Sequence, residues 1–245
     1  MPPMTTHATA QSGALPGNAR QTDSYVIAAL NGKGGSGKTA TIMQLAAHTS
    51  AAHGRALVAD TDPQANAYDL TQAMSDPGYD VIHELDPKQL TRISQVRDYD
   101  SIYVDTPGTL DHAGGVLDEV LERATFVLIP YDHVPESVMP TVRTAKRVAA
   151  AGVPYAVVLT KVDPRLIGPD GAGFVQDAWD LLDRQGIRHF RTVIRLYRAW
   201  PNSLQAGVPI TRWNERYAPK LREDIAALHT ELLIDLGRRN LGGAS

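Results

Sequence analysis

Cysteine is absent from the 245 residues. That excludes disulfides, cysteine-ligated zinc, iron–sulfur clusters and a thiol nucleophile. It fits a reducing cytosol, the compartment expected here. Long apolar runs are missing too, and none approaches the ~18 residues of a membrane-spanning helix. Residues 1–23 lack both a basic start and an apolar stretch, so they do not read as a secretory signal. They are small and polar with scattered proline and glycine, and a flexible tail is expected there, with a second flexible end at 241–245. An excess of one charge is also lacking. There are 24 Lys+Arg and 27 Asp+Glu, a formal net charge of −3. Taken whole, that sum predicts no bulk attraction to nucleic acid or membrane. No internal repeat is visible, and the 8 histidines show no zinc-ligand spacing.

What is present is a hydrophobic content of 43%, enough to build the core of one large domain, expected over 24–240. From Tyr25 onward, short β-rich runs alternate with longer helical patterns. Tyr25–Leu30, Ala56–Ala59, Ser101–Val104, Phe126–Pro130, Tyr155–Thr160 and Phe190–Ile194 read as strands. Most are continuous apolar runs, as expected for strands buried on both faces. Lys38–Ala52, Gln64–Met74, Pro135–Ala151 and Phe174–Gln185 read as helices. A weaker strand and helix, Asp80–Leu85 and Pro87–Val96, fit a sheet edge. The alternation predicts the α/β class: a doubly wound, mostly parallel sheet with helices on both faces. Ligands in such sheets bind at the carboxyl ends of the strands.

The stretch Glu215–Arg239 places Tyr217, Leu221, Ile225, Leu228, Leu232 and Leu236 on one helical stripe, expected to pack on the core. Its polar side, Lys220, Arg222, Glu223, Asp224, Glu231 and Asp235, mixes signs. A membrane-surface helix would favour basic residues, so no membrane contact is expected.

The first strand runs into Asn31-Gly32-Lys33-Gly34-Gly35-Ser36-Gly37-Lys38-Thr39, and Gly32, Gly37, Lys38 and Thr39 stand at P-loop spacing. The glycines let successive N–H groups face inward as an anion nest. The following helix aims its positive end at the same point. Gly34, Gly35, Ser36, Gly37, Lys38, Thr39 and Ala40 are the expected nucleotide contacts. Lys38 would reach the β- and γ-phosphates, and the Thr39 hydroxyl would ligate Mg²⁺. A P-loop also needs a carboxylate on the metal side. Asp105, closing Ser101–Val104, supplies it. The Gly108 N–H, in Asp105-Thr106-Pro107-Gly108, would meet the γ-phosphate.

A second lysine, Lys33, precedes Lys38, and Asp60-Thr61-Asp62-Pro63-Gln64-Ala65-Asn66 closes the second strand. Together these segments resemble the deviant Walker A and Walker A′ motifs of the ParA/MinD family of P-loop ATPases, over roughly Tyr25 to Arg239. The resemblance implies ATP as substrate, Mg²⁺ as cofactor and a homodimer in the ATP state. It implies that Lys33 reaches the partner's phosphates, that Asp62 positions the attacking water and that Asp60 supports the metal. It also places the base near Thr160 and Lys161, with Pro209 flanking it. Thr160-Lys161-Val162-Asp163 further resembles the T-K-x-D of some GTPases, which leaves GTP open.

The small net charge hides an asymmetry. Residues 1–122 carry 7 basic and 15 acidic groups, whereas residues 123–245 carry 17 and 12. Arg188, Arg191, Arg195 and Arg198, then Arg212, Arg216, Lys220 and Arg222, are the expected non-specific DNA surface. Trp179, Trp200 and Trp213 read as core or interface residues. No winged-helix domain is expected before the P-loop. The chain therefore resembles a small DNA-partition ATPase, nucleoid-associated, working with a small centromere-binding ParB-type partner. The alternative is a MinD-like ATPase that positions itself on membranes or places another cargo. A metabolic ligase or synthase of the same superfamily is a more distant reading.

Overall fold

The computed structural model describes residues 24–90, 92–93, 96, 98–108, 114–168 and 172–242. The tail expected over 1–23 lies outside them, as do residues 243–245. The strands are β1 (Tyr25–Ala29), β2 (Ala56–Asp60), β3 (Asp80–His83), β4 (Ser101–Asp105), β5 (Phe126–Tyr131), β6 (Tyr155–Val162) and β7 (His189–Arg195). They form one sheet in the order β3-β2-β4-β1-β5-β6-β7. Every neighbouring pair is parallel. The helices are α1 (Lys38–Ala51), α2 (Asn66–Gln72), α3 (Pro87–Leu90), α4 (Gly114–Arg123), α5 (Pro135–Ala150), α6 (Ala172–Arg184), α7 (Ala199–Gln205) and α8 (Ala218–Gly242).

Alternation along the strands makes two cores. Ile27 and Ala29 of β1 face one cluster, with Ile42 and Leu45 of α1 and Leu221, Leu228 and Leu232 of α8. Val26 and Ala28 face the other, with Leu117 of α4 and Val142 of α5. Both faces of the sheet are therefore covered, which is why the strand sequences are almost continuously apolar. Each fully buried Leu or Ile contributes about 1.5–3 kcal/mol of transfer free energy.

The topology sets the position of the site. β1 lies between β4 and β5, and successive strands leave it in opposite directions. The carboxyl end of β1 is a topological switch point, where a crevice opens between diverging loops.

The structure departs from the sequence reading in a few places, each with a local cause. α2 starts at Asn66 rather than Gln64, because Ala65 holds a left-handed conformation (φ 52°) and closes a turn onto Asp62. α4 and α7 were not anticipated. The helix read over Pro87–Val96 is described only at Pro87–Leu90. α8 runs to Gly242, past the boundary expected at 240. Tyr217 precedes α8 and is 42% exposed; it stacks on Tyr197 with ring centroids 5.2 Å apart instead of joining the core. Asp224 and Asp235, placed on the polar side of this helix, are buried. β7 brings Arg195 onto Asp224 (2.5 Å) and Arg188 onto Asp235. α8 also holds the backbone of β7. Glu231 accepts the Arg191 and Thr192 amides at 3.1 and 2.9 Å, and Asp224 accepts the Arg195 amide at 3.0 Å.

Candidate nucleotide site

After β1 the chain winds through 31–37 into α1. Gly35 and Gly37 have φ of 77° and 100°, a region that glycine enters without the penalty of a Cβ. The loop is anchored from behind. Asn31 Nδ2 donates to the Pro130 carbonyl (2.8 Å) and to Thr141 Oγ1 (3.0 Å), while its Oδ1 accepts the Lys33 amide (3.0 Å). The Gly32 amide donates to Thr144 Oγ1 at 3.1 Å. Thr160 Oγ1 donates to the Ser36 carbonyl at 2.8 Å. Thr160, expected as a nucleotide contact, therefore buttresses the loop and does not line the cavity. Lys161 does line it, in a left-handed conformation (φ 57°), with its ammonium donating to the Gly35 carbonyl.

The loop opens onto a cavity of about 840 Å³. Gly34, Gly35, Gly37, Lys38, Thr39 and Ala40 line one part of it, and Asp62 and Gly108 line another. Gly108 passes close to the loop: a Cβ there would lie 3.1 Å from Gly34 Cα and 3.8 Å from Lys38 Nζ. The loop residues, Asp62 and Gly108 thus converge from distant parts of the chain, whereas Ser36, Asp60 and Asp105 are buried behind the lining.

Charges in the site are poised for an anion and a cation together. Lys38 is buried, and burial lowers its pKa; the Asp105 and Asp62 charges oppose that shift. Burial pushes Asp105 up to about 7, opposed by the Thr39 hydrogen bond and reinforced by the nearby Asp60 charge. Thr39 Oγ1 donates to Asp105 Oδ2 at 2.7 Å. Asp105 Oδ1 is buried with no hydrogen-bond partner among the described residues. A divalent cation fits this orphaned oxygen and the adjacent hydroxyl. No group of three or more His, Cys, Asp or Glu residues that could hold a metal ion occurs among the described residues. Mg²⁺ suits that economy, since it is commonly held by one or two protein oxygens together with phosphates and water.

Asp60, which the resemblance gives as a support of the metal, lies close enough for its charge to act on Asp105. It is fully buried, and its two oxygens accept the Asp62 amide (3.0 Å) and the Tyr68 amide (2.9 Å). It fixes the turn that presents Asp62. The Asp62 Oδ1 accepts the Gln64 amide at 3.0 Å, which orients its carboxylate at the cavity wall.

Lys33 is not part of the cavity lining. Its Nζ lies 3.4 Å from Asp132 Oδ2, and Ser137 donates to the other oxygen of the same carboxylate. Pro209 is buried outside the cavity. The Gly207 turn before it docks on α2, where a Cβ at Gly207 would come 2.9 Å from the Ala73 carbonyl. Trp200 of α7 lines the cavity instead, together with Leu70, Leu85 and Val116. Sequence reading missed this wall, because a seven-residue helix carrying Pro201 shows no usable periodicity. Asp163 is closed on Arg165, whose Nε donates to both carboxylate oxygens at 3.0 Å, and the hydrogen bonds hold its carboxyl down at about 2.

The eight basic residues divide. Arg195 is forked onto buried Asp224, Arg188 pairs with Asp235, and Arg222 donates to the Ile210 and Trp213 carbonyls at 3.2 and 2.8 Å. These three support the fold. Arg212 pairs with Asp76 (2.6 Å) and Lys220 with Glu223 (3.2 Å), both at the surface. Arg191 lies over the Trp179 ring at 4.9 Å and Arg216 over the Tyr217 ring at 5.2 Å. Arg198 is exposed with no ion pair among the described residues. Arg198, Arg216 and Arg191 remain the most available cations.

A glycine-wound loop feeding a helix, a buried lysine, and a hydroxyl–carboxylate pair at a neighbouring strand end define a P-loop nucleotide-binding protein. Residues 27–241 match the CobQ/CobB/MinD/ParA nucleotide binding domain, and the chain belongs to that family. It is 34% identical over 209 residues to the maintenance of carboxysome distribution protein A of Gloeobacter kilaueensis, covering 84% of this chain and 93% of that protein. Its fold matches the MinC:MinD cell division protein complex of Aquifex aeolicus with a TM-score of 0.68 and 16% identity, over 86% of this chain and 96% of that one. It also matches a putative plasmid partition protein of Borrelia burgdorferi bound to AMPPNP, with a TM-score of 0.65 and 16% identity, over 85% of this chain and 99% of that one.

Proposed function

We propose that this protein is a positioning ATPase that works as an ATP-dependent homodimer on DNA. The observation that carries the reading is the split of the two lysines. Lys38 points into the cavity, whereas Lys33, on the same loop, is turned out of it towards Asp132. One chain then lacks part of the positive charge needed against a γ-phosphoryl transition state. A second copy, offering its own Lys33, would complete the site. In that reading Asp62 orients the attacking water and the Gly108 amide meets the γ-phosphate. Thr39 and Asp105 would hold Mg²⁺, which would neutralise charge on the β- and γ-oxygens.

Exposed Arg198, Arg216 and Arg191 support a non-specific DNA surface, doubled in the dimer. Hydrolysis, stimulated by a small ParB-type partner, would dissolve the dimer and release it from DNA, with the protein cytoplasmic and nucleoid-associated. For the cargo, a plasmid or chromosome is the first reading. A protein compartment is the second, and it is supported by the likeness to a carboxysome-distribution protein. Membrane positioning has less support, because the apolar stripe of α8 is buried against the sheet. Among the described residues no helix is long and apolar enough to cross a membrane.

The test is ATP turnover with and without plasmid DNA, paired with DNA co-sedimentation in ATP and in ADP. Turnover raised by DNA, and binding only in ATP, are the expected results. DNA that changes neither would remove the DNA part of the reading.

A further inference from the structure

The phosphate loop accounts for only part of the cavity. A cavity of about 840 Å³ holds a whole nucleotide rather than a triphosphate alone. Beyond the loop its wall turns apolar, with Leu70 of α2 and Trp200 of α7. Of the residues expected at the base, Thr160 and Pro209 are outside the cavity lining, and Lys161, which lines it, has its ammonium on the Gly35 carbonyl. Trp200 is the aromatic side chain in the lining.

Trp200 is also well held. It is half-buried and packs, with Leu70, against the α1/α8 core. Its carbonyl accepts Ser203 Oγ at 2.8 Å. The helix around it is tied at its middle and beyond its C-terminal end. Asn202 Nδ2 donates to Glu215 at 3.0 Å, and the turn after α7 is seated on α2 through the Ser75 amide and the Gly207 carbonyl at 3.2 Å. An indole fixed in this way is a preorganised flat surface, and every base offers a π-face to it.

We infer that Trp200 is the base-stacking residue of the nucleotide site, holding the purine by its face while the loop holds the phosphates. The inference rests on the nucleotide-binding reading, and the test separates the two. Titration calorimetry of the full chain would use MgADP and, as a probe with no base, magnesium tripolyphosphate.

Trp200→Leu keeps apolar bulk but removes the ring. It should weaken ADP binding about tenfold and leave tripolyphosphate within about twofold. Trp200→Phe should restore most of the ADP affinity. Unchanged ADP affinity in Trp200→Leu, or equal weakening of both probes, overturns the inference. A parent chain that binds neither probe overturns the nucleotide reading itself. A second measurement leaves position 200 intact, in a chain carrying Trp179→Phe and Trp213→Phe. Its remaining tryptophan emission should change with ADP and not with tripolyphosphate; no response to ADP overturns the assignment.

Discussion

Lys33 and Asp132 form a partly buried ion pair, Nζ to Oδ2 at 3.4 Å, with side chains 26% and 12% exposed. The pair ties the second lysine of the phosphate loop to the end of β5. In the proposed dimer Lys33 must leave it. Asp132 then acts against association, by stabilising the single chain. Asp132→Asn keeps the volume and removes the charge. Sedimentation in ATP is expected to give dimers at several-fold lower protein concentration than for the parent, because a partly buried pair is worth about 1 kcal/mol. Unchanged assembly would mean that the pair is incidental.

Asp62 stands at the cavity wall with its carboxylate oriented by Gln64. Asp62→Ala should retain ATP binding and accumulate the ATP dimer, with steady-state phosphate release reduced at least about tenfold. Rapid turnover by that variant would sink the assignment. Lys33→Ala should lose stimulated turnover while still binding nucleotide, whereas Lys38→Ala should bind nucleotide poorly.

The basic residues separate into two experimental classes. Arg198→Ala with Arg216→Ala should reduce ATP-dependent DNA co-sedimentation and leave the melting temperature close to that of the parent. Arg195→Ala strands the buried Asp224 carboxylate. It should destabilise the fold by about 3 kcal/mol, lowering the melting temperature by about 6–12 °C. If the exposed pair instead melts the protein and leaves DNA binding intact, the proposed surface is wrong.

His229 of α8 faces His48 of α1, with ring centroids 5.1 Å apart. Its Nε2 lies 3.4 Å from Thr49 Oγ1, which also meets the Tyr103 hydroxyl at 2.8 Å. Burial, helped by the charge of His48, pushes His229 down to about 4. The folded chain keeps this imidazole neutral, while the unfolded chain protonates it near its ordinary value of about 6.5. Its contribution to stability is therefore complete above about pH 6.5 and is lost as pH falls towards 4. Melting temperatures across that window should fall less steeply for His229→Gln than for the parent. Parallel curves would show that this ring does not set the slope.

Much of this was legible in the sequence because the signals are local. Buried parallel strands read as apolar runs, and the Gly32–Thr39 segment carries its geometry in its glycines. The carboxylate Asp105 follows from the end of a strand. What failed depends on contacts distant in the chain. The basic residues between Arg188 and Arg222 read as one surface, yet Asp224, Asp235 and Glu231 return from α8 to meet Arg195, Arg188 and the β7 backbone. Trp200 looked like any core tryptophan, since only the docking of α7 on α2 brings it to the cavity. Pro209 carried a family motif but lies behind the turn that this docking requires.

The carboxylates of α8 that occupy the β7 amides also bear on how copies of the chain can assemble. A bare outer strand is a template for another strand, and this one has its Arg191, Thr192 and Arg195 donors already taken. Growth of the sheet from one molecule into the next is blocked on that flank. The dimer proposed above is built instead on the loops at the carboxyl ends of the strands, and it leaves that flank unused.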